Sequence, residues 1–108
     1  MTATNPPIQS NPRDWVDVLQ ILRTHAPGVA VWAFGSRARR TAKPYSDLDL
    51  SLVAPQRLSL AQLGDLAEAF ESSDLTIQVD LVDWATTSAA FRQRIKADRV
   101  VVQTGSSV

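Results

Sequence analysis

The sequence predicts a small single-domain α/β (α+β) protein. Its sheet should be mixed and three- to four-stranded, with helices packed on one face, in the order αβαβαβα. Three observations lead there. A chain of 108 residues suffices for one lean domain. The runs 29–34, 47–53 and 75–82 are rich in aliphatic and aromatic residues and read as strands. The stretches around them carry apolar residues at helical spacing behind good caps.

Residues 1–11, with Pro6 and Pro7 adjacent, read as a flexible leader to a domain over 12–104, and 105–108 as a tail. Asn11 as cap, Pro12 at the first position and Asp14 in the first turn open a helix whose apolar face is Trp15, Val18, Leu19 and Leu22. His25 reads as a cap at its end rather than a catalytic base. The buried strand Val29–Phe34 stops at Gly35-Ser36, and residues 36–42 predict a short helix closed by Lys43-Pro44. Asp47–Val53 is a second strand with clean alternation. Ser59 and Gln62 form a capping box for a helix to Glu71, with Leu60, Leu63, Leu66, Ala67 and Phe70 as its stripe. Leu75–Val82 is a third strand, Thr86, Thr87 or Ser88 caps a last helix to Ala97, and Val100–Gln103 adds a short strand. Trp15 and Trp32 read as core, and Trp84 as half-buried packing with base stacking as the alternative.

Composition narrows the function. No cysteine excludes disulfides and Cys-based zinc sites, and a single histidine excludes multi-His sites, so any metal is held by oxygen and is a hard ion such as magnesium. Eleven basic against eleven acidic residues argue against coating nucleic acid by bulk charge, and no direct nucleic-acid contact is expected. No apolar run approaches the ~20 residues of a membrane span, and the leader lacks a secretory layout, so a soluble cytoplasmic protein is expected. The charges are segregated: Arg37, Arg39, Arg40 and Lys43 cluster, residues 58–91 hold only acidic charges, and Arg92, Arg94, Lys96 and Arg99 follow. Solvated helix faces and an acidic surface for a basic partner both fit this pattern.

Parity along a strand is geometry. Leu48, Leu50 and Leu52 share one face of the second strand, and Asp47, Asp49 and Ser51 the other. Asp80 falls on the polar parity of the third strand, whereas Asp83 has the opposite parity and reads as a loop or cap residue. Carboxylates at i and i+2 lie some 6–7 Å apart at Cα, close enough to bridge cations and to repel without them. A polar turn leading into an edge strand is the plainer alternative. Gly35-Ser36 adds context: glycine lets backbone approach a phosphate, serine offers a hydroxyl, and a helix N-terminus follows. Gly-Ser, ten residues, then Asp-x-Asp arises by chance in roughly one in a thousand chains of this length.

This arrangement resembles the signature of the nucleotidyltransferase superfamily that includes DNA polymerase beta. Phe34–Ala42 and Ser46–Leu50, with Val79–Val82 as a third-carboxylate strand, are similar to its smallest branch, the minimal nucleotidyltransferases (MNT). Arg40 departs from the pattern, standing where these proteins usually have glycine, and it either restricts the loop or adds a phosphate contact. The resemblance implies a single nucleotidyltransferase domain in which Asp47, Asp49 and Asp80 are catalytic and hold magnesium, two ions being expected. It implies ATP as substrate, with Gly35 and Ser36 on the outer phosphates and Arg37 or Arg39 beside the leaving pyrophosphate. It further implies a HEPN-family toxin as partner, and a type VII-like antitoxin that transfers AMP to a tyrosine of that ribonuclease. After the last helix only about ten residues remain, so the acceptor is expected on another chain. The alternatives are an idle antitoxin acting by complex formation, and a stand-alone small-molecule nucleotidyltransferase.

Overall fold

The computed structural model describes residues 5–105. Its elements are α1 (Pro12–His25), β1 (Ala30–Phe34), α2 (Ser36–Arg39), β2 (Leu48–Val53), α3 (Leu60–Glu71), β3 (Val79–Asp83), a 3-10 turn at Trp84–Thr86, α4 (Ala89–Asp98) and β4 (Val100–Gln103). The strands form one sheet in the order β3-β2-β1-β4. β1 is antiparallel to both β2 and β4, and β2 is parallel to β3, so the sheet is mixed and four-stranded.

The expected caps are in place. Asn11 accepts from the Asp14 backbone N–H at 2.7 Å, and Ser59 and Gln62 form the reciprocal capping box. On one face of the sheet, Val31, Ala33, Leu48, Leu50 and Leu52 pack against Val18 and Leu22 of α1 and Leu66 and Phe70 of α3. The expectation that all helices share this face holds for α1 and α3 and fails for α4. Trp32 and Phe34, on the other face of β1, are large and apolar as well, so that face also needs cover. The 3-10 turn and α4 supply it: Trp32 meets Trp84 and Phe34 meets Phe91, each edge to face, at 5.2 and 5.7 Å between ring centroids. Ile95 is fully buried there.

Two further expectations are corrected. Residues 75–78 are not strand, because β2 offers its first ladder partner only at Leu48, opposite Val79. The segment is instead held by buried Asp14, which accepts hydrogen bonds from the backbone N–H (3.2 Å) and the hydroxyl of Thr76. The leader is not loose from Pro6 onward: Ile8 is 1% exposed in the core, and the Gln9 side chain both donates to and accepts from the Ala42 backbone at 2.9 Å. The expectations for residues 1–4 and for the tail residues 106–108 lie outside the described residues. Ile8→Ala should therefore cost about 2–4 kcal/mol in stability. A thermal melt reads this directly, each kcal/mol being worth about 4–8 °C in a domain of this size.

Candidate active site

Three elements converge at one end of the sheet. β1 runs into Gly35, whose φ of 78° lies where a side chain is disfavoured. A Cβ there would also fall on Oδ2 of Asp49, well inside van der Waals contact. Glycine is thus required twice, by backbone angle and by the carboxylate beside it. Ser36 then begins α2, a single turn that ends at Arg39 and is capped by Arg40 in the left-handed conformation, φ 62°.

Strand register brings the carboxylates together. Asp49 of β2 lies opposite Phe34 of β1 on one side and Asp80 of β3 on the other. Neighbouring strands are about 4.8 Å apart, so the two aspartates are side by side on one face. Asp49, Asp80, Gly35, Ser36 and Arg39 line a cleft of about 390 Å³, floored by Phe34 and Val82. Its outer wall is α4, through Phe91, Arg94 and Asp98. Asp49 is held above the usual carboxylate range, chiefly by burial, then by the charges of Asp80 and Asp47, with Arg39 opposing.

The structure does not gather all the predicted residues. Asp47 precedes β2 and is exposed; its charge reaches Asp49, but it does not line the cleft. Arg37 is turned away altogether, 6% exposed and spread over backbone carbonyls. Its Nε donates to Ser46 at 2.9 Å, Nη1 to Gln9 at 2.8 Å, and Nη2 to Pro44 at 3.1 Å and Lys43 at 3.4 Å. It ties the leader and the loop before Asp47 to α2, so it positions the site rather than facing a ligand. Arg40 donates to the Pro6 carbonyl at 2.7 Å, a bond that offsets the cost of its left-handed backbone, and it does not line the cleft. Asp83 is the cap that its parity implied, accepting from Leu58 and Ala85 N–H groups at 3.2 Å. Trp84 packs on Trp32 beneath the Arg92 guanidinium, 4.9 Å above its ring, and Tyr45 is exposed.

Sequence reasoning missed the α4 wall. Phe91, Arg94 and Asp98 follow i, i+3, i+7 spacing, which puts them on one helix face. That spacing was the available signal, masked by reading the helix only as basic.

The donors suit a hard cation. They are all carboxylate oxygens, and the ion pair found among the described residues engages none of Asp47, Asp49 and Asp80. Among those residues no group of three acidic or histidine side chains stands at metal-binding separation. Fold and site together define a small domain for phosphate chemistry on nucleotides: a glycine-serine turn opening a helix beside paired aspartates on adjacent strands. The chain belongs to the polymerase beta nucleotidyltransferase family, whose model, described as "Polymerase beta, Nucleotidyltransferase", matches residues 17–106. It is 49% identical over 86 residues to the "Probable protein adenylyltransferase MntA" of Haemophilus influenzae, covering 80% of this chain and 75% of that protein. A crystal structure of a toxin–antitoxin complex with AMP-PNP superposes with TM-score 0.70 at 25% identity, over 85% of this chain and 74% of that one. A structure of a tri-AMPylated Shewanella oneidensis HEPN toxin in complex with MNT antitoxin shares the fold, with TM-score 0.63 at 21% identity over 85% of this chain and 71% of that one. Among the described residues no helix is long and apolar enough to cross a membrane.

Two outcomes test this geometry. Arg37→Met should cost roughly 2–4 kcal/mol in a urea titration, since it removes a buried guanidinium from several part-buried carbonyls; a phosphate ligand at the surface would change stability by no more than about 0.5 kcal/mol. Asp49→Asn should stabilise the metal-free protein at neutral pH. A raised carboxyl binds its proton more tightly folded than unfolded, so wild type loses stability as pH climbs through and above the ordinary carboxylate range. Thermal melts at pH about 4 and about 7 should show the advantage of the variant growing with pH.

Proposed function

We propose that this protein is an MNT antitoxin that transfers AMP from magnesium-bound ATP to a tyrosine of a HEPN-family toxin and so neutralises it. The observation that carries the proposal is the in-register pair Asp49 and Asp80 beside the Gly35-Ser36 turn. The support from relatives is the adenylyltransferase name of the 49% identical protein and the AMPylated toxin found with an MNT antitoxin.

Asp49 and Asp80 would hold the magnesium ions, with Asp47 joining from the loop that Arg37 fastens. Bound there, the ions supply neutralisation of triphosphate charge and of the charge that develops during transfer. The rest is work for the chain itself. The backbone N–H groups at the Gly35-Ser36 turn take the outer phosphates, while the missing Cβ of Gly35 leaves room for the Asp49 carboxylate beside them. Ser36 donates its hydroxyl, and Arg39 balances the leaving pyrophosphate. The tyrosine oxygen attacks the α-phosphorus, an O–P bond forms, and the bond from that phosphorus to pyrophosphate breaks. The phenol proton passes to the Asp80 carboxylate, which is exposed.

The test combines the protein, ATP, magnesium and the HEPN protein encoded beside it, read by intact mass. The toxin should gain mass in AMP-sized steps. Asp49→Asn and Asp80→Asn should each slow the gain by about 100-fold or more. Magnesium should raise the melting temperature of wild type but not of Asp49→Asn. A toxin that stays unmodified yet is silenced equally by wild type and Asp49→Asn would replace transfer with neutralisation by binding alone.

A further inference from the structure

Arg39 ends α2 and Asp98 ends α4, and their ion pair, Nη1 to Oδ2 at 2.5 Å, joins two walls of the cleft. It is the only ion pair among the described residues. Its setting is unusual for a carboxylate. Asp98 stands in the last turn of its helix, where the backbone dipole disfavours negative charge, so α4 gives it no electrostatic support. Arg39 is its counter-charge, and Arg39 is also the cation whose field reaches Asp49. The same guanidinium therefore faces the catalytic carboxylates and is held by a residue outside them.

This arrangement bears on the reading above, on which the inference rests. A triphosphate seated at Ser36 would offer Arg39 several anionic oxygens in fork geometry, a stronger acceptor than one carboxylate. It would also bring negative charge close to Asp98. Asp98 occupies Nη1, so a fork made through that nitrogen cannot serve both. Arg94 lies one turn earlier on the same face of α4, lines the cleft, and makes no ion pair among the described residues.

We propose that Asp98 is a built-in competitor of the nucleotide for Arg39: it holds Arg39 in the nucleotide-free cleft and releases it to the triphosphate, its carboxylate passing to Arg94. Recapture of Arg39 by Asp98 then favours departure of pyrophosphate. Asp98 is thus a positioning residue that weakens nucleotide affinity, the reverse of what a simple structural tether would do.

The experiment is calorimetric titration of the full chain with a non-hydrolysable ATP analogue in magnesium buffer. Asp98→Ala should tighten the Kd about two- to fivefold, the scale of a partly exposed ion pair. Arg94→Ala should weaken binding by a similar factor in the wild-type background and have no effect in the Asp98→Ala background. In turnover, the gain of Asp98→Ala should be read in KM for ATP rather than kcat. Unchanged or weaker binding by Asp98→Ala overturns the proposal, as does an Arg94→Ala effect that persists without Asp98. Tighter binding by Asp98→Ala in a protein that modifies no toxin would leave the competitor standing and remove only AMP transfer. An analogue that binds neither wild type nor Asp98→Ala would remove both.

Discussion

Repulsion between Asp49 and Asp80 is the constraint around which the rest of the molecule is arranged. Parallel pairing of β2 with β3 puts two carboxylates in adjacent register positions, and partial burial raises the cost of charging one of them. A folded protein keeps such a pair only where the surroundings over-determine it. Here three leucines on the opposite face of β2, each at most 1% exposed, lock the strand in register. A slip by one residue would turn those leucines outward and the aspartate inward. The hydrophobic core thus sustains an electrostatically unfavourable pair whose use lies in what it attracts.

The two faces of the sheet carry different duties. The α1 and α3 face is closed and aliphatic, and it supplies most of the burial. The other face is aromatic at β1 and polar toward β3, so α4 lies across a gradient. Its Phe91 and Ile95 anchor it to the sheet, while Arg94 and Asp98 are left beside the carboxylates. One helix therefore covers hydrophobic surface and walls the cleft at once. Around Arg37 the logic is similar. A buried guanidinium gathers carbonyls from residues far apart in the chain, and the loop that delivers Asp47 is ordered by contacts that no ligand makes.

Much was legible from sequence. Gly35-Ser36 and Asp49 could be recognised because a positive-φ turn and a strand carboxylate are each set within a few residues. Asn11, Ser59 and the alternation of 47–53 were readable for the same reason: a cap or a pleat is satisfied by near neighbours. Asp80 was reachable by parity, since two alternating strands that pair in parallel must align like faces.

Other features depended on partners distant in the chain. Arg37 and Arg39 are two residues apart and chemically alike, yet one is buried on the carbonyls of Gln9 and Ser46 and the other faces the cleft. No local pattern separates them, because the acceptors that claim Arg37 come from segments that meet only in the folded state. Ile8 in a proline-containing leader, the late start of β3, and α4 on the second face have the same origin. By itself the sequence determined the short-range elements: where helices begin, which strand residues share a face, and which glycine must bend. Tertiary structure alone decided which equal-looking cation lines the cleft and which helix walls it, because those outcomes follow from long-range competition for acceptors and apolar cover.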